Sequence, residues 1–319
     1  MPKNASLNHK SLLGLKTLSA EDINLILDTA VGMAEVMKRP VPKVPALNGK
    51  SVALLFYEPS TRTRTSFEMA AKMLSANTTS MAMSTSSAVK GETLVDTARN
   101  IEVMGVDAIV IRHSASGAPA LVDENVKASI INAGDGSNEH PSQGLLDIYT
   151  MREKKGSLKG KKVVIVGDIA HSRVARSNLW GLLKLGAKVS LVAPPTLMPA
   201  EIEKTGAKVS YDLDEEIRDA DFINVLRLQL ERQQKGLFPS IEEYIKLFGI
   251  TAERLKKAKS DVVILHPGPI NRGIELSSDV VDMISSKSGG PSNVILDQVA
   301  NGVAIRMAIF YLLLGKQKK

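Results

Sequence analysis

The sequence predicts an α/β chain of two domains, each a parallel sheet flanked by helices, and three observations carry that reading. Short apolar, β-branched runs recur near residues 52–56, 108–111, 163–166, 188–192 and 262–265, with helix-length segments between them. That alternation belongs to βαβ units, whose crossovers make neighbouring strands run parallel. At 319 residues the chain is about twice the length of a common domain. Finally, a polar stretch at residues 153–160 breaks the apolar pattern near the midpoint, just before the β-branched run Val163-Val164-Ile165-Val166. We therefore expect one domain over residues 1–151 and a second over 152–292. In such sheets ligands bind beyond the carboxyl ends of the strands, so chemistry is sought in the loops that follow them.

The first run ends in Phe56-Tyr57-Glu58-Pro59 and enters Ser60-Thr61-Arg62-Thr63-Arg64-Thr65-Ser66. Phe67, Ala70, Ala71 and Leu74 then give the face of an amphipathic helix. Thr65 and Glu68 have the spacing of a capping box. Hydroxyls and guanidinium groups crowding a helix amino end, with its unpaired N–H groups and dipole, form a phosphate site that needs no glycine-rich loop. Next comes Ser86-Ser87-Ala88-Val89-Lys90-Gly91-Glu92, a polar loop with a weak signal of its own.

The run at 109–111 delivers Arg112 and His113, and the run at 130–131 leads through Asn132-Ala133-Gly134-Asp135-Gly136 to Glu139-His140-Pro141-Ser142-Gln143. An imidazole beside a guanidinium can polarise a carbonyl and stabilise an oxyanion, while an amide such as Gln143 can orient an NH2 group. His113 reads as a surface or helix-capping residue.

In the second half, Val166-Gly167-Asp168 resembles the opening of a dinucleotide fold, but the G-x-G-x-x-G spacing is missing and Arg173 follows instead. Arg173, and Arg227 after the apolar run 222–226, could each grip a carboxylate through two parallel hydrogen bonds. The run 262–265 ends in His266-Pro267-Gly268-Pro269, a stiff turn whose carbonyl groups could hold an NH2. The last segment, from Asn293 onward, has helical spacing and enough apolar content to suggest packing.

Composition limits the alternatives. With no cysteine, disulfides, thiolate metal sites and thiol nucleophiles are excluded. The start lacks an apolar signal core, and no apolar run approaches the roughly 20 residues of a membrane span, so a cytoplasmic protein without a membrane partner is expected. The net charge of +7 and pI near 9.4 suggest a polyanion partner. The excess is local, however: residues 152–162 hold six bases and one acid, and Lys316, Lys318 and Lys319 close the chain. With 4% aromatic residues, stacking platforms are scarce. These bases are expected to form a solvated linker and tail, with no nucleic-acid partner.

Ser60-Thr61-Arg62-Thr63-Arg64, Lys90-Gly91-Glu92, His140-Pro141-x-Gln143, Arg173, Arg227-x-Gln229 and His266-Pro267-Gly268-Pro269 together resemble the aspartate/ornithine carbamoyltransferase family, and within it the catalytic chains that use aspartate. The resemblance runs from about Leu13 to the final helix. It implies an amino-terminal domain for carbamoyl phosphate, a second domain for L-aspartate, and a carboxyl-terminal helix, residues 293–319, returning to the first. The active site would lie in the cleft between domains and at a subunit interface of a homotrimer.

Carried over by position, Ser60, Thr61, Arg62 and Thr63 would hold phosphate, and Arg112 would bridge phosphate and carbonyl. Thr63, Arg112 and His140 would polarise the carbonyl, while Gln143 and the backbone of Pro267, Gly268 and Pro269 would orient the carbamoyl NH2. Ser86 and Lys90 would enter from the neighbouring subunit. Arg173, Arg227 and Gln229 would fix the two carboxylates of aspartate, with Lys90 also reaching it. Glu58 would pair with Arg173 and Arg232 to hold the domains closed. No metal or cofactor is implied, since an amine displacing phosphate from an activated carbonyl needs only positioning and charge stabilisation.

Two departures stand out: Glu139 occupies a position where many members carry Gln, and the His-Pro-Gly-Pro turn resembles the unregulated or dihydroorotase-associated branch. The branch using ornithine carries a cysteine in this turn and a Ser-Met-Gly loop for a cationic side chain. This chain has neither.

Overall fold

A computed structural model of the chain describes residues 7–82, 91–228, 240–283 and 290–315. Its contacts define two compact units, Met1–Leu146 with Ala300–Lys319, and Asp147–Val299. In the first unit, α1 (Ala20–Met37) opens on a reciprocal cap: the Ser19 hydroxyl accepts the Asp22 N–H and the Asp22 carboxylate accepts the Ser19 N–H. Its apolar stripe, Ile23, Ile26, Leu27, Ala30 and Met33, is buried.

There follow β1 (Ser51–Phe56), α2 (Thr61–Met73), β2 (Asn77–Ala82), α3 (Leu94–Val103), β3 (Ala108–His113), α4 (Ala118–Asp123) and β4 (Ser129–Asp135). The four strands pair in parallel in the order β2-β1-β3-β4. Their residues Ala53, Leu55, Ile109, Ile111 and Ile130 pack with Ala98, Ile101 and Val122 of α3 and α4 in one buried cluster. The chain steps outward from β1 to β2 and then returns across to β3. The loops after β1 and β3 therefore part at a point where the strand order reverses, which is where open parallel sheets bind ligands.

Helix α5 (Pro141–Lys155) carries the chain into the second unit. There β5 (Lys162–Val166), α6 (Arg173–Lys184), β6 (Lys188–Val192), β7 (Lys208–Ser210), α7 (Leu213–Glu216) and β8 (Phe222–Val225) are followed by α8 (Ile241–Phe248), α9 (Ala252–Leu255), β9 (Val263–Leu265), α10 (Ser278–Val281) and β10 (Ser292–Asn293). The sheet order is β10-β9-β8-β5-β6-β7, all parallel, so here the reversal falls between β5 and β8. The last helix, α11 (Ile295–Leu314), begins in the second unit and ends in the first.

Three expectations change. The basic run is no solvated linker: Lys154 lies 2.6 Å from Asp297, Lys155 2.9 Å from Asp261 and Lys162 3.1 Å from Glu216, because acids distant in sequence converge on it. Next, α11 is long and apolar enough to cross a membrane by length and composition, with a mean hydropathy of 1.3, and 61% of that stretch is buried within the protein. Scattered polar residues such as Gln298, Asn301 and Arg306 hide that mean from a search for unbroken apolar runs. Lastly, the helix starts at Ile295, and Asn293 sits in β10, where its Oδ1 accepts the Ile295 N–H at 2.9 Å.

Candidate active site

At the end of β1 the structure corrects the sequence reading of the helix start. Ser60 is the N-cap of α2 and its side chain makes no capping hydrogen bond. Thr65 lies inside the helix, so it is not part of a capping box, and Glu68 instead pairs with Lys72 at 2.6 Å, one turn on. Apolar periodicity locates the buried face beginning at Phe67 and is blind to a polar first turn. The consequence favours an anion site. Thr61, Arg62 and Thr63 form the first turn, where N–H groups lack acceptors within the helix and the dipole is positive. The Thr63 side chain is buried, whereas Thr61 and Arg62 are exposed.

Arg112 stands opposite Phe56 in the β1–β3 register, at the same end of the sheet. Its Nε lies 3.4 Å from Glu58 and its Nη1 3.5 Å from the Ala133 carbonyl. Its carbonyl accepts the Tyr57 N–H at 2.9 Å, which locks the two strand ends together. The Tyr57 ring lies 4.9 Å from His113, and burial pushes the Tyr57 hydroxyl pKa up. His113 shapes its own loop by accepting the Ala115 N–H at Nδ1, 2.9 Å away.

The β4–α5 connection is built around two carboxylates. Buried Asp135 accepts the Gly117 N–H at 2.7 Å, the Asn132 amide at 2.8 Å, the Asn138 amide at 3.0 Å and the Glu139 N–H at 3.1 Å. Glu139, also buried, turns the other way and accepts the Leu15 N–H at 2.7 Å and the Lys16 N–H at 3.1 Å. The acid that stands where many members carry Gln therefore ties the amino-terminal segment to this turn. Immediately after it come His140, 4% exposed, and Gln143, 9% exposed, at the mouth of α5. Ser60, Thr61, Arg62, Thr63, Arg112, His140 and Gln143 thus all follow or end strands at one edge of one sheet.

The second unit repeats the logic. Arg173 is the first residue of α6, 4% exposed, behind a Ser172 cap that accepts the Ala175 N–H at 3.2 Å. Arg227 lies two residues beyond β8. These arginines flank the reversal between β5 and β8. In the same loop as Arg173, buried Asp168 lies 2.8 Å from the His171 ring. Beyond β9, the turn at Pro267, Gly268 and Pro269 contains a cis Gly268–Pro269 bond and is tied by His266. Nδ1 of this buried ring accepts the Gly268 N–H at 2.8 Å, and its Nε2 faces Glu275 at 3.2 Å. The ring proton therefore sits on Nε2. Glu275 also accepts the Asn271 N–H at 2.7 Å.

Ser86, Lys90, Gln229 and Arg232 lie outside the described residues. Among the described residues no group of three or more His, Asp or Glu is arranged to hold a metal ion. Sequence reasoning missed Asp135 as an organiser, and it missed Arg306. The Arg306 Nη1 donates to Ser66 Oγ at 2.9 Å, and its guanidinium lies 4.9 Å from the centre of the Phe67 ring, bracing α2 against α11. An arginine set between apolar neighbours, Val303-Ala304-Ile305 before it and Met307-Ala308-Ile309 after it, was the available signal.

Comparison with known proteins adds names to this geometry. Residues 10–153 match the family described as aspartate/ornithine carbamoyltransferase, carbamoyl-P binding domain, and residues 159–313 match its Asp/Orn binding domain. The aspartate carbamoyltransferase catalytic subunit of Heliobacterium modesticaldum is 56% identical over 307 residues, 96% of either chain. Among solved structures, aspartate transcarbamoylase from Trypanosoma cruzi in complex with carbamoyl aspartate and phosphate superposes with a TM-score of 0.85 at 30% identity, covering 98% of this chain and 99% of that one. Ornithine carbamoyltransferase from Pyrococcus furiosus scores 0.84 at 32% identity, covering 99% and 100%. Backbone likeness alone therefore does not separate the two amino-acid substrates.

Proposed function

Because the chain belongs to the aspartate/ornithine carbamoyltransferase family, we propose that it transfers the carbamoyl group of carbamoyl phosphate to the amine of L-aspartate, giving N-carbamoyl-L-aspartate and phosphate. The observation that carries the choice of aspartate is the near-full-length similarity to catalytic subunits named for that activity. Arg173 and Arg227, which flank the strand-order reversal of the second unit, support it, since a substrate with two carboxylates calls for two guanidinium groups.

In this reading the first turn of α2, with Ser60, Thr61, Arg62 and Thr63, binds the phosphate, and Arg112 spans phosphate and carbonyl oxygen. The uncharged amine of aspartate attacks the carbonyl carbon. Thr63, Arg112 and His140 stabilise the oxyanion; as it collapses the carbon–oxygen bond to phosphate breaks, and the extra proton on the attacking nitrogen leaves with the phosphate. Gln143 and the backbone at Pro267, Gly268 and Pro269 orient the carbamoyl NH2. Bringing an amine to a carbonyl requires both sets of ligands to act on one pair of substrates, and the alignment replaces an unfavourable encounter of two anions.

The proposal extends to a homotrimer in which Ser86 and Lys90 serve the neighbouring protomer's substrates, with Lys90 and Gln229 completing the aspartate site and Glu58 and Arg232 holding the closed form. It also extends to a cytoplasmic location, an early step of pyrimidine biosynthesis and a larger assembly with dihydroorotase. The test is a colorimetric assay for ureido product, with aspartate and ornithine offered separately. Carbamoylaspartate is expected, and preference for ornithine overturns the reading. Mixing Lys90→Ala with Arg62→Ala chains, each inactive alone, should recover activity if sites are shared between protomers; no recovery rejects the shared site.

A further inference from the structure

Asp147 sits inside α5, where aspartate is a poor helix former, and its side chain is completely buried. A buried carboxylate persists only when well hydrogen-bonded. Here side-chain amides from three other elements donate to it. Asn178 of α6 donates to Oδ2 at 2.7 Å, Asn224 of β8 donates to Oδ2 at 3.3 Å, and Gln298 of α11 donates to Oδ1 at 2.7 Å. Gln298 passes the connection on, because its Oε1 accepts the His266 N–H at 2.9 Å.

Two of those elements lead to groups of the second unit's site, and the third, α11, is bonded through Gln298 to a residue beside another. Arg173 begins α6, Arg227 follows β8 by two residues, and His266 opens the turn at Pro267, Gly268 and Pro269. None of the four side chains in this network is placed to touch a substrate by the reading above.

We propose that Asp147 is a positioning residue, a buried acceptor hub that holds α6, the end of β8 and, through Gln298, the Pro267–Pro269 turn in mutual register. The inference rests on the carbamoyltransferase reading. Its polarity is fixed at both ends: Asp147 can only accept, and the His266 N–H can only donate. Gln298 must therefore present nitrogen to one and oxygen to the other. Asp147→Asn breaks this logic in either orientation of the new amide, setting N–H against N–H. Gln298→Glu sets carboxylate against carboxylate. The double variant Asp147→Asn/Gln298→Glu reverses the middle bond: the amide introduced at position 147 donates to the carboxylate introduced at position 298, which still accepts the His266 N–H. Formal charge is unchanged, and the hydrogen bonds to Asn178, Asn224, Gln298 and the His266 N–H all find a donor and an acceptor again.

The experiment measures kcat, KM for both substrates and the thermal midpoint of the full-length enzyme for the wild type, both single variants and the double. Gln298→Glu is expected to lower kcat about 10-fold or more with little change in KM for aspartate, since only the turn is disturbed. Asp147→Asn lowers kcat and also raises KM for aspartate, since α6 and β8 are released too. The double variant recovers both to within about threefold of wild type. Singles with wild-type constants, a double no better than the worse single, or losses confined to thermal midpoint would each overturn the proposal. Should Asp147→Asn fail to fold, Gln298→Ala carries the test, because it too removes the His266 acceptor and must lower kcat. A wild type that forms no carbamoylaspartate sinks the functional reading, whereas an active wild type with uncoupled variants sinks this inference alone.

Discussion

Replacing Asp135 by alanine tests how the β4–α5 turn holds His140. The carboxylate is 1% exposed and receives four donors, from Gly117, Asn132, Asn138 and Glu139. Alanine leaves them unequal. The Asn132 amide keeps the Leu13 carbonyl at 2.8 Å, and the exposed Asn138 and Gly117 can turn their donors to water. The buried backbone N–H of Glu139 has no such freedom. An unsatisfied buried donor costs about 1–3 kcal/mol. For a unit of this size about 2 kcal/mol corresponds to a melting point lower by about 4–8 °C. Because the Asp135 N–H also closes the turn onto the Glu139 carbonyl at 3.2 Å, directly before His140, kcat should fall as well. A shift of about 1 Å in a group aligned on the reacting carbonyl costs about 10²-fold. Asp135→Asn, which keeps one acceptor, should fall between. Differential scanning calorimetry and the ureido assay read both effects. Melting within about 2 °C of wild type would refute the energetic argument, and lowered melting with unchanged kcat would show that the turn does not position His140.

Three further outcomes are expected. Gly302→Ala builds a Cβ 2.5 Å from the Arg306 Nη1 and 3.1 Å from Leu146, so it should destabilise by about 1–3 kcal/mol despite alanine's better helix propensity; a raised melting point would contradict the clash. Arg173→Lys exchanges a planar fork for a point charge at a site 4% exposed, and KM for aspartate should rise about 10–100-fold while KM for carbamoyl phosphate holds, which steady-state kinetics decides. As pH falls, stability should be lost through the second unit's acids. Lys162 lowers the Asp219 pKa and Lys155 lowers that of Asp261. At Glu216 and Asp221 burial pulls upward but loses, to Lys208, Ser190 and Lys162 at the first, and to the Lys162 N–H and Lys259 at the second. Depressed folded-state values mean stability fully present above the ordinary values of 3.8 for Asp and 4.5 for Glu and lost as pH drops through the lowered ones, so melting points should be flat near neutrality and fall below about pH 5. Melting points that rise on acidification would reverse the sign.

Much of the fold was legible because the strands on either side of each reversal are buried on both faces and so read as unbroken β-branched runs. Val163-Val164-Ile165-Val166 and Ala108-Ile109-Val110-Ile111 announce β5 and β3 directly. The strands that escaped notice lie at sheet edges, where fewer neighbours demand apolar side chains: β2 spells Asn77-Thr78-Thr79-Ser80-Met81-Ala82, and β7 and β10 are three and two residues long. The start of α2 escaped for a related reason. Its first turn is polar, with Thr61 and Arg62 exposed, so the rule that finds helices by their buried face starts counting at Phe67, six residues past Thr61.

The same asymmetry divides the site. The groups proposed to hold substrate stand in short local clusters, Ser60-Thr61-Arg62-Thr63 or His140-Pro141-Ser142-Gln143, as expected where one loop presents several donors to one small anion. The residues that hold those groups in place are dispersed: Asp147, Asn178, Asn224 and Gln298 converge from separate elements onto one carboxylate. Nothing in the spacing of these residues links them. A buried network satisfies donors with acceptors across space, and its signature in the chain is only a polar residue where periodicity asks for an apolar one. Asp147 in the body of α5 and Arg306 in α11 are both such exceptions. Each is read more usefully as a sign of a distant partner than as noise in the pattern, because a buried charge must find its hydrogen bonds or leave the core.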